Sequence, residues 1–408
     1  MPSTASKAPL LVIFLTVFID LVGFGMVIPL LPVYAEQFTV HEKGLTIGLL
    51  MSSFSAMQFL FAPLWGRLSD RIGRRPILMV GLGGSVLFYA LFGFATVEKS
   101  LVLLFVSRIG AGIAGATIST AHAYIADVTT LENRTKGMAL VGAAFGLGFT
   151  FGPLFGYLAA PTGHGDPGPW PGYAAAMLSA VALLLAIFKL PESLRPDSSR
   201  ATRKFFNFAA LGDAIATPSV GLLLLTSFVC VFSFANFEST LSLMVKNPEG
   251  AFRFDFQQLC LTFAFIGFLL LIVQGGIVRR LSGRVSEGKL ASTGAIMEII
   301  GFVMLVLANH SDSTSLLFPA LAIVVSGFAF MTPSLNSLIS RRSDPAKQGG
   351  ILGVSQSISS LARILGPSVG IPLFYRQSTL PFLLATGLMA LGLVLVTIAA
   401  RSGKDYQA

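Results

Sequence analysis

The sequence predicts an all-α membrane protein of twelve transmembrane helices, arranged as two pseudo-symmetric six-helix bundles. Three observations carry that expectation: too little charge for a water-facing surface, twelve apolar runs of spanning length, and motifs that recur in both halves. Charged residues make up 12% of the 408 positions and hydrophobic ones 54%. A soluble chain carries about 25% charged residues, so lipid must be the solvent for much of this surface.

A hydrocarbon core about 30 Å thick needs about 20 apolar residues as helix. Runs of that length lie near residues 9–35, 45–66, 76–97, 100–125, 136–160 and 171–190, and again near 216–244, 256–280, 289–309, 315–340, 347–375 and 379–401. The first run is too long for the core of a secretory signal, and is expected to be retained as a helix.

Orientation follows from the loops. If the N-terminus is inside, only Lys43, Lys99, Lys246, Arg253 and Arg376 fall on the outer side, while Arg108 and Arg363 fall within spans. The other Lys and Arg residues, of 28 in all, lie on the inner side. Cytoplasmic loops carry such an excess, so both termini are expected to be cytoplasmic and the membrane to be the cell's inner (plasma) membrane. The same distribution explains the net charge of +9 without nucleic acid, which is not expected as a partner.

The long basic connection after Pro191 divides the chain into bundles at residues 1–190 and 216–408, joined by a linker at 191–215. Two correspondences support an internal repeat. Gly152-Pro153-Leu154-Phe155-Gly156 in the fifth run matches Gly366-Pro367-Ser368-Val369-Gly370 in the eleventh. The loop from Gly66 to Arg74 lines up with Gly276 to Arg284, with Arg280 in the place of Asp70. Such repeats build many secondary transporters, with a solute site near the midplane between the repeats.

Ionisable residues within a span cost at least about 2.5–3.5 kcal/mol at its centre, so they are functional candidates. Asp20 in the first span and Arg108 in the antiparallel fourth reach similar depth, about 18 Å from the inner side by residue rise. The geometry therefore allows the two to pair. Glu238 and Arg363 are their second-half counterparts, and Glu298 lies in the ninth span. Gln58, Asn236, Gln274, Asn336 and Gln356 are candidate polar lining, with Phe24, Phe232, Phe234 and Phe237 as apolar contact. Gly66, Asp70, Arg71, Gly73, Arg74 and Asp127 cluster at inner helix ends and suit a charged gate, with Asp70 also placed to face the N-terminal dipole of the eleventh helix. Gly152, Pro153, Gly156, Gly366, Pro367 and Gly370 suit close helix packing and bending.

No P-loop or H-E-x-x-H motif is present, and the four histidines and two cysteines are scattered. No enzyme activity, cofactor or metal is expected; the expected partners are a small-molecule substrate, protons and the bilayer, with a monomer as the working state.

The stretch Gly66-Arg67-Leu68-Ser69-Asp70-Arg71-Ile72-Gly73-Arg74-Arg75-Pro76 resembles the G-x-L-x-D-R-x-G-R-R signature of the major facilitator superfamily. So do Asp20 through Pro32, Arg108-Ile109-Gly110-Ala111-Gly112, and the G-P-x-x-G that in this superfamily is typical of antiporters. Ala56-Met57-Gln58-Phe59-Leu60, Tyr124-Ile125-Ala126-Asp127-Val128-Thr129 and Leu190-Pro191-Glu192-Ser193 are most similar to the tetracycline/proton antiporters and related drug exporters. The resemblance implies coupling roles for Asp20, Arg108 and Glu298. It departs at a membrane histidine of that family, whose place Leu270 occupies, while Gln274 one turn on matches. It implies a proton-coupled antiporter exporting a hydrophobic or amphipathic molecule by alternating access. The alternative reading is a symporter or facilitator for an anionic or neutral metabolite, favoured by Arg108 and Arg363.

Overall fold

The computed structural model describes residues 7–38, 43–129, 131–159, 168–194, 218–247, 249–281, 284–342 and 348–402. The central linker from residue 195 on, and Gly283 of the second-half loop, lie outside the described residues. The helices are α1 (Lys7–Val27), α2 (Leu31–Phe38), α3 (Lys43–Ile72), α4 (Arg74–Val97), α5 (Leu101–Gly115), α6 (Ile118–Val128), α7 (Leu131–Ala159) and α8 (Trp170–Lys189). The second half holds α9 (Pro218–Lys246), α10 (Phe256–Ile272) with a π-helical turn Val273–Val278, α11 (Arg279–Leu281), α12 (Glu287–His310), α13 (Thr314–Arg342), α14 (Gln348–Arg376) and α15 (Leu380–Ser402). Among the described residues, 11 helices are long and apolar enough to cross a membrane, and Ala143–Ala159 adds a shorter apolar one.

Two of the expected spans are broken. The first is interrupted between α1 and α2 at Ile28-Pro29-Leu30, where Pro29 lacks the amide that would continue the helical ladder. The fourth breaks between α5 and α6 at Ala116-Thr117, where there is no proline. Its loosened carbonyls are collected by α3. Gln58 Nε2 donates to Gly115 O at 3.3 Å, Trp65 Nε1 donates to Ile113 O at 2.7 Å, and Ser119 Oγ of α6 donates back to Ala62 O at 3.1 Å. Irregular backbone at membrane depth is tolerated only where such partners exist.

Contacts divide the chain into two compact units, residues 1–39, 53–205 and 255–267, and residues 40–52, 206–254 and 268–408. In the first unit α1 packs on α7 and α8, and α4 packs on α5 and α8. In the second unit α9 packs on α14 and α15, and α12 packs on α13 and α15. The same pairing order in both is what an internal repeat produces.

The bounds differ from a simple cut at the linker, because each unit takes a helix start that chain order assigns to the other half. Glycines explain the exchange. A Cβ at Gly44 or Gly48 would lie 2.8 Å from Pro372 Cα or Pro367 O of α14, and Ser52 Oγ donates to Ile364 O. On the other side a Cβ at Gly267 of α10 would lie 2.5 Å from Phe149 O of α7.

Glycines also set the central helix pairs. In the first unit a Cβ on Gly25 would sit 2.6 Å from Gly148 O, and one on Gly152 would sit 2.6 Å from Gly25 C. In the second, a Cβ on Gly366 would meet Ala235 Cβ at 2.7 Å, and one on Gly370 would meet Asn236 Oδ1 at 1.9 Å. Both G-P-x-x-G segments thus press backbone against a partner helix, as small residues permit in membranes. Leu at position 152 should cost at least the roughly 1–3 kcal/mol of an overpacked site, because the neighbouring atoms are backbone and cannot turn aside. Leu at Gly83, where no atom lies within 4 Å, should be nearly neutral; thermal unfolding of the detergent-solubilised protein would compare the two.

Candidate functional site

The loop between α3 and α4 is organised around Arg74, whose side chain is 8% exposed. Its Nε donates to Asp127 Oδ2 at 3.0 Å, and its Nη1 donates to Ser69 Oγ at 2.7 Å and to Asp70 Oδ1. One guanidinium therefore ties the ends of the second, third and fourth spans. Its fork supplies separate donors at fixed angles, which a lysine cannot copy.

Sequence reasoning about this gate overlooked Glu192. Its carboxylate accepts from the backbone amides of Arg74 and Arg75 at 2.9 and 3.1 Å, capping the N-terminus of α4, and Ser193 Oγ adds a bond to Asp127 at 3.0 Å. The signal that could have found it was the acid in Leu190-Pro191-Glu192-Ser193, because helix N-termini bind anions. Gly73 has φ 110°, a conformation that favours glycine, and a Cβ there would lie 2.5 Å from Glu192 Oε2. Gly66 faces Ser119 at ordinary contact distance, Arg67 Nε donates to Pro63 O at 3.3 Å, and Arg71 is exposed.

The second unit carries a charge-inverted version of this contact. Arg341 at the end of α13 pairs with Glu287 at the start of α12, at 2.8 Å. In the first unit the base is on the third span and the acid on the fourth; here the acid is on the ninth and the base on the tenth. Arg341 is 51% exposed. Neighbouring Arg342 is buried and donates to Ala399 O at 2.8 Å. Arg280, in the place of Asp70, is exposed.

Within the first bundle the Asp20–Arg108 ion pair that their depth allows does not form. Asp20 Oδ1 instead accepts from Ser179 Oγ of α8 at 2.9 Å, and Ser85 of α4 presents a second hydroxyl. Arg108, 3% exposed, lays its guanidinium over the Phe54 ring at 4.5 Å from the centroid. Its Nε and Nη1 have no hydrogen-bond partner. Phe54 lies tilted against Phe24 at 4.7 Å between ring centroids, and Phe24 meets Phe149 edge-on at 6.0 Å. Tyr89 of α4 lies within electrostatic range of both Asp20 and Arg108. The two charges thus engage different neighbours, Asp20 the serine hydroxyls and Arg108 an aromatic ring.

In the second bundle Glu238 is half-buried and within electrostatic range of Arg363, which is exposed, without a direct ion pair. Glu298 is fully buried: Cys230 Sγ approaches its Oε1 at 4.0 Å, and its Oε2 has no partner. A Cβ on Gly327 would touch Glu298 Cγ at 2.7 Å, so this acid lies in the α12–α13 seam.

Two of the five candidate lining residues serve the fold. Gln58 patches the break in the fourth span, and buried Asn236 donates from Nδ2 to Pro381 O at 2.7 Å. Gln274, on the π-helical turn, is exposed, as are Asn336 and Gln356. Among the described residues no group of three or more His, Cys, Asp or Glu could hold a metal ion.

A helical chain with spanning helices, paired repeat packing and ionisable groups buried at membrane depth is a multi-pass membrane transporter of small molecules. It belongs to the Major Facilitator Superfamily, whose family model matches residues 13–367. The chain is 33% identical over 367 residues to the class C tetracycline resistance protein of Escherichia coli, covering 89% of each. It is 31% identical to Major facilitator superfamily domain-containing protein 10 of Bos taurus, over 88% of this chain and 85% of that one. Among solved structures, the human organic anion transporter MFSD10 (TETRAN) superposes with a TM-score of 0.72 at 26% identity, covering 96% of this chain and 99% of that one. A D-xylose-proton symporter superposes with a TM-score of 0.74 at 15% identity, covering 98% and 97%, a likeness of fold alone. Members of this superfamily are transporters and not enzymes, and so is this chain.

Replacing Arg74 by Gln should destabilise the solubilised protein by roughly 3 kcal/mol, since it strands acids at a largely buried site. Arg341→Gln, at an exposed pair, should cost no more than about 1 kcal/mol. Parallel thermal melts would show whether this asymmetry holds.

Proposed function

We propose that the chain is a proton-coupled antiporter that exports a hydrophobic or amphipathic small molecule by alternating access, working as a monomer in the inner (plasma) membrane with both termini cytoplasmic. The observation that carries this reading is Asp20: a carboxyl in the membrane interior, held by serine hydroxyls and free of a fixed cation. Such a group can exchange a proton for a solute, because it is not locked into a permanent ion pair. The 33% identity to a tetracycline resistance protein supports export, and the aromatic group of Phe24, Phe54 and Phe149 supports an apolar cargo. Arg108 and Glu298 take supporting roles in coupling, and Glu238 with Arg363 form the second-half counterpart. The Arg74 cluster, with Gly66, Asp70, Arg71, Gly73 and Asp127, is the cytoplasmic gate.

A second reading, a symporter or facilitator for an anionic metabolite, draws on Arg108, whose buried Nε and Nη1 lack partners. The 26% identity to a human organic anion transporter favours it too.

Reconstituted protein separates the two. For the antiporter, adding a lipophilic drug to the purified protein should release protons, and Asp20→Asn should abolish both release and gradient-driven export while leaving the fold intact. Transport indifferent to a pH gradient, or proton flow in the same direction as the solute, would sink it. For the second reading, Arg108→Gln should raise the KM for anionic solutes at least tenfold and leave neutral ones unchanged; uptake assays with a charged and an uncharged solute of equal size would measure this.

A further inference from the structure

We infer that the second unit carries a built site for an anionic phospholipid at the junction of the eighth and ninth spans. Arg279, Arg280, Arg284 and Lys289 are all exposed, and the side chains of all four are free of hydrogen bonds and ion pairs with other described residues. Glu287, the acid between them in the chain, is engaged by Arg341. The equivalent loop of the first unit does the opposite, surrounding its central arginine with Asp70, Asp127 and Glu192. Among the described residues the second-half loop is therefore a cationic rim whose acid, Glu287, is already engaged. Clusters of Lys and Arg next to a membrane helix attract anionic headgroups.

The helix above the rim supplies a place for acyl chains. Phe268 and Ile272 are exposed along one face of α10, at 54% and 43%. After Ile272 the helix widens into a π-helical turn that leads to Arg279. The π-helical turn Val273–Val278 brings Gly275 and Gly276 together here, and a Cβ on either would meet no atom within 4 Å. The missing side chains leave a notch beneath the arginines. From Phe268 to Arg279 the rise is at most about 16 Å, close to the depth of one leaflet of a hydrocarbon core about 30 Å thick. A phospholipid fits this layout with its phosphate on Arg279, Arg280 and Arg284, its glycerol at the glycine notch and an acyl chain along Ile272 and Phe268.

The test is native mass spectrometry of the full chain titrated with phosphatidylglycerol or phosphatidylcholine. Wild type should prefer phosphatidylglycerol. The triple variant Arg279→Gln, Arg280→Gln, Arg284→Gln should lose roughly fivefold of that preference per charge removed, on the order of a hundredfold in all. The corresponding Arg→Lys triple variant should keep the preference, which separates charge loss from misfolding. Gly275→Leu should weaken both lipids alike by filling the notch. Equal binding of the two lipids by wild type, or a preference that survives the glutamines and follows Arg71 and Arg75 of the first-unit loop instead, would overturn the assignment.

Discussion

Everything in this molecule rests on helices approaching one another to backbone contact. Gly25, Gly148 and Gly152 let α1 and α7 touch main chain to main chain, and Gly366 and Gly370 do the same for α9 and α14. In lipid, apolar side chains gain little from leaving their solvent, so close van der Waals packing must hold helices together. The two G-P-x-x-G segments are among the sites of such close approach. Asp20 and Glu238 lie on the helices those segments grip, so the candidate ionisable groups are placed by glycines elsewhere in the chain.

The second constraint is that each buried polar group needs a partner inside the protein. Gln58, Trp65 and Ser119 answer it at the broken fourth span, and Glu192 answers it at the N-terminus of α4. Where the constraint is left open, function is the natural reading. Arg108 Nε and Nη1 and Glu298 Oε2 are buried without partners. Groups left in that condition cost free energy unless a solute, a proton or a conformational change compensates them.

The two units share their packing order and differ in their charges. The first surrounds Arg74 with acids in a partly buried network; the second inverts the pair as Glu287–Arg341 at the surface and leaves its other loop cations unmatched. Duplication thus preserved what packing requires, while the loops diverged toward different electrostatic work.

Sequence alone made legible the spans, the repeated halves, the glycines of the two G-P-x-x-G segments and the Arg74 loop, since apolar length, small residues and charge spacing are local. Tertiary structure decided the rest. Residue counting gives depth along a helix but not rotation about its axis, so it could not decide that Asp20 turns to Ser179 and Arg108 to Phe54. Gln58 and Asn236 had the composition of solute contacts, yet they bond the backbone of neighbouring helices at Gly115 and Pro381. The break at Ala116-Thr117 has no proline to announce it, and the exchanged helix starts at residues 43–52 and 256–267 follow from glycines meeting partners far away in the chain. In each case the deciding quantity was which side chain faces which helix, and packing between segments distant in the sequence sets that.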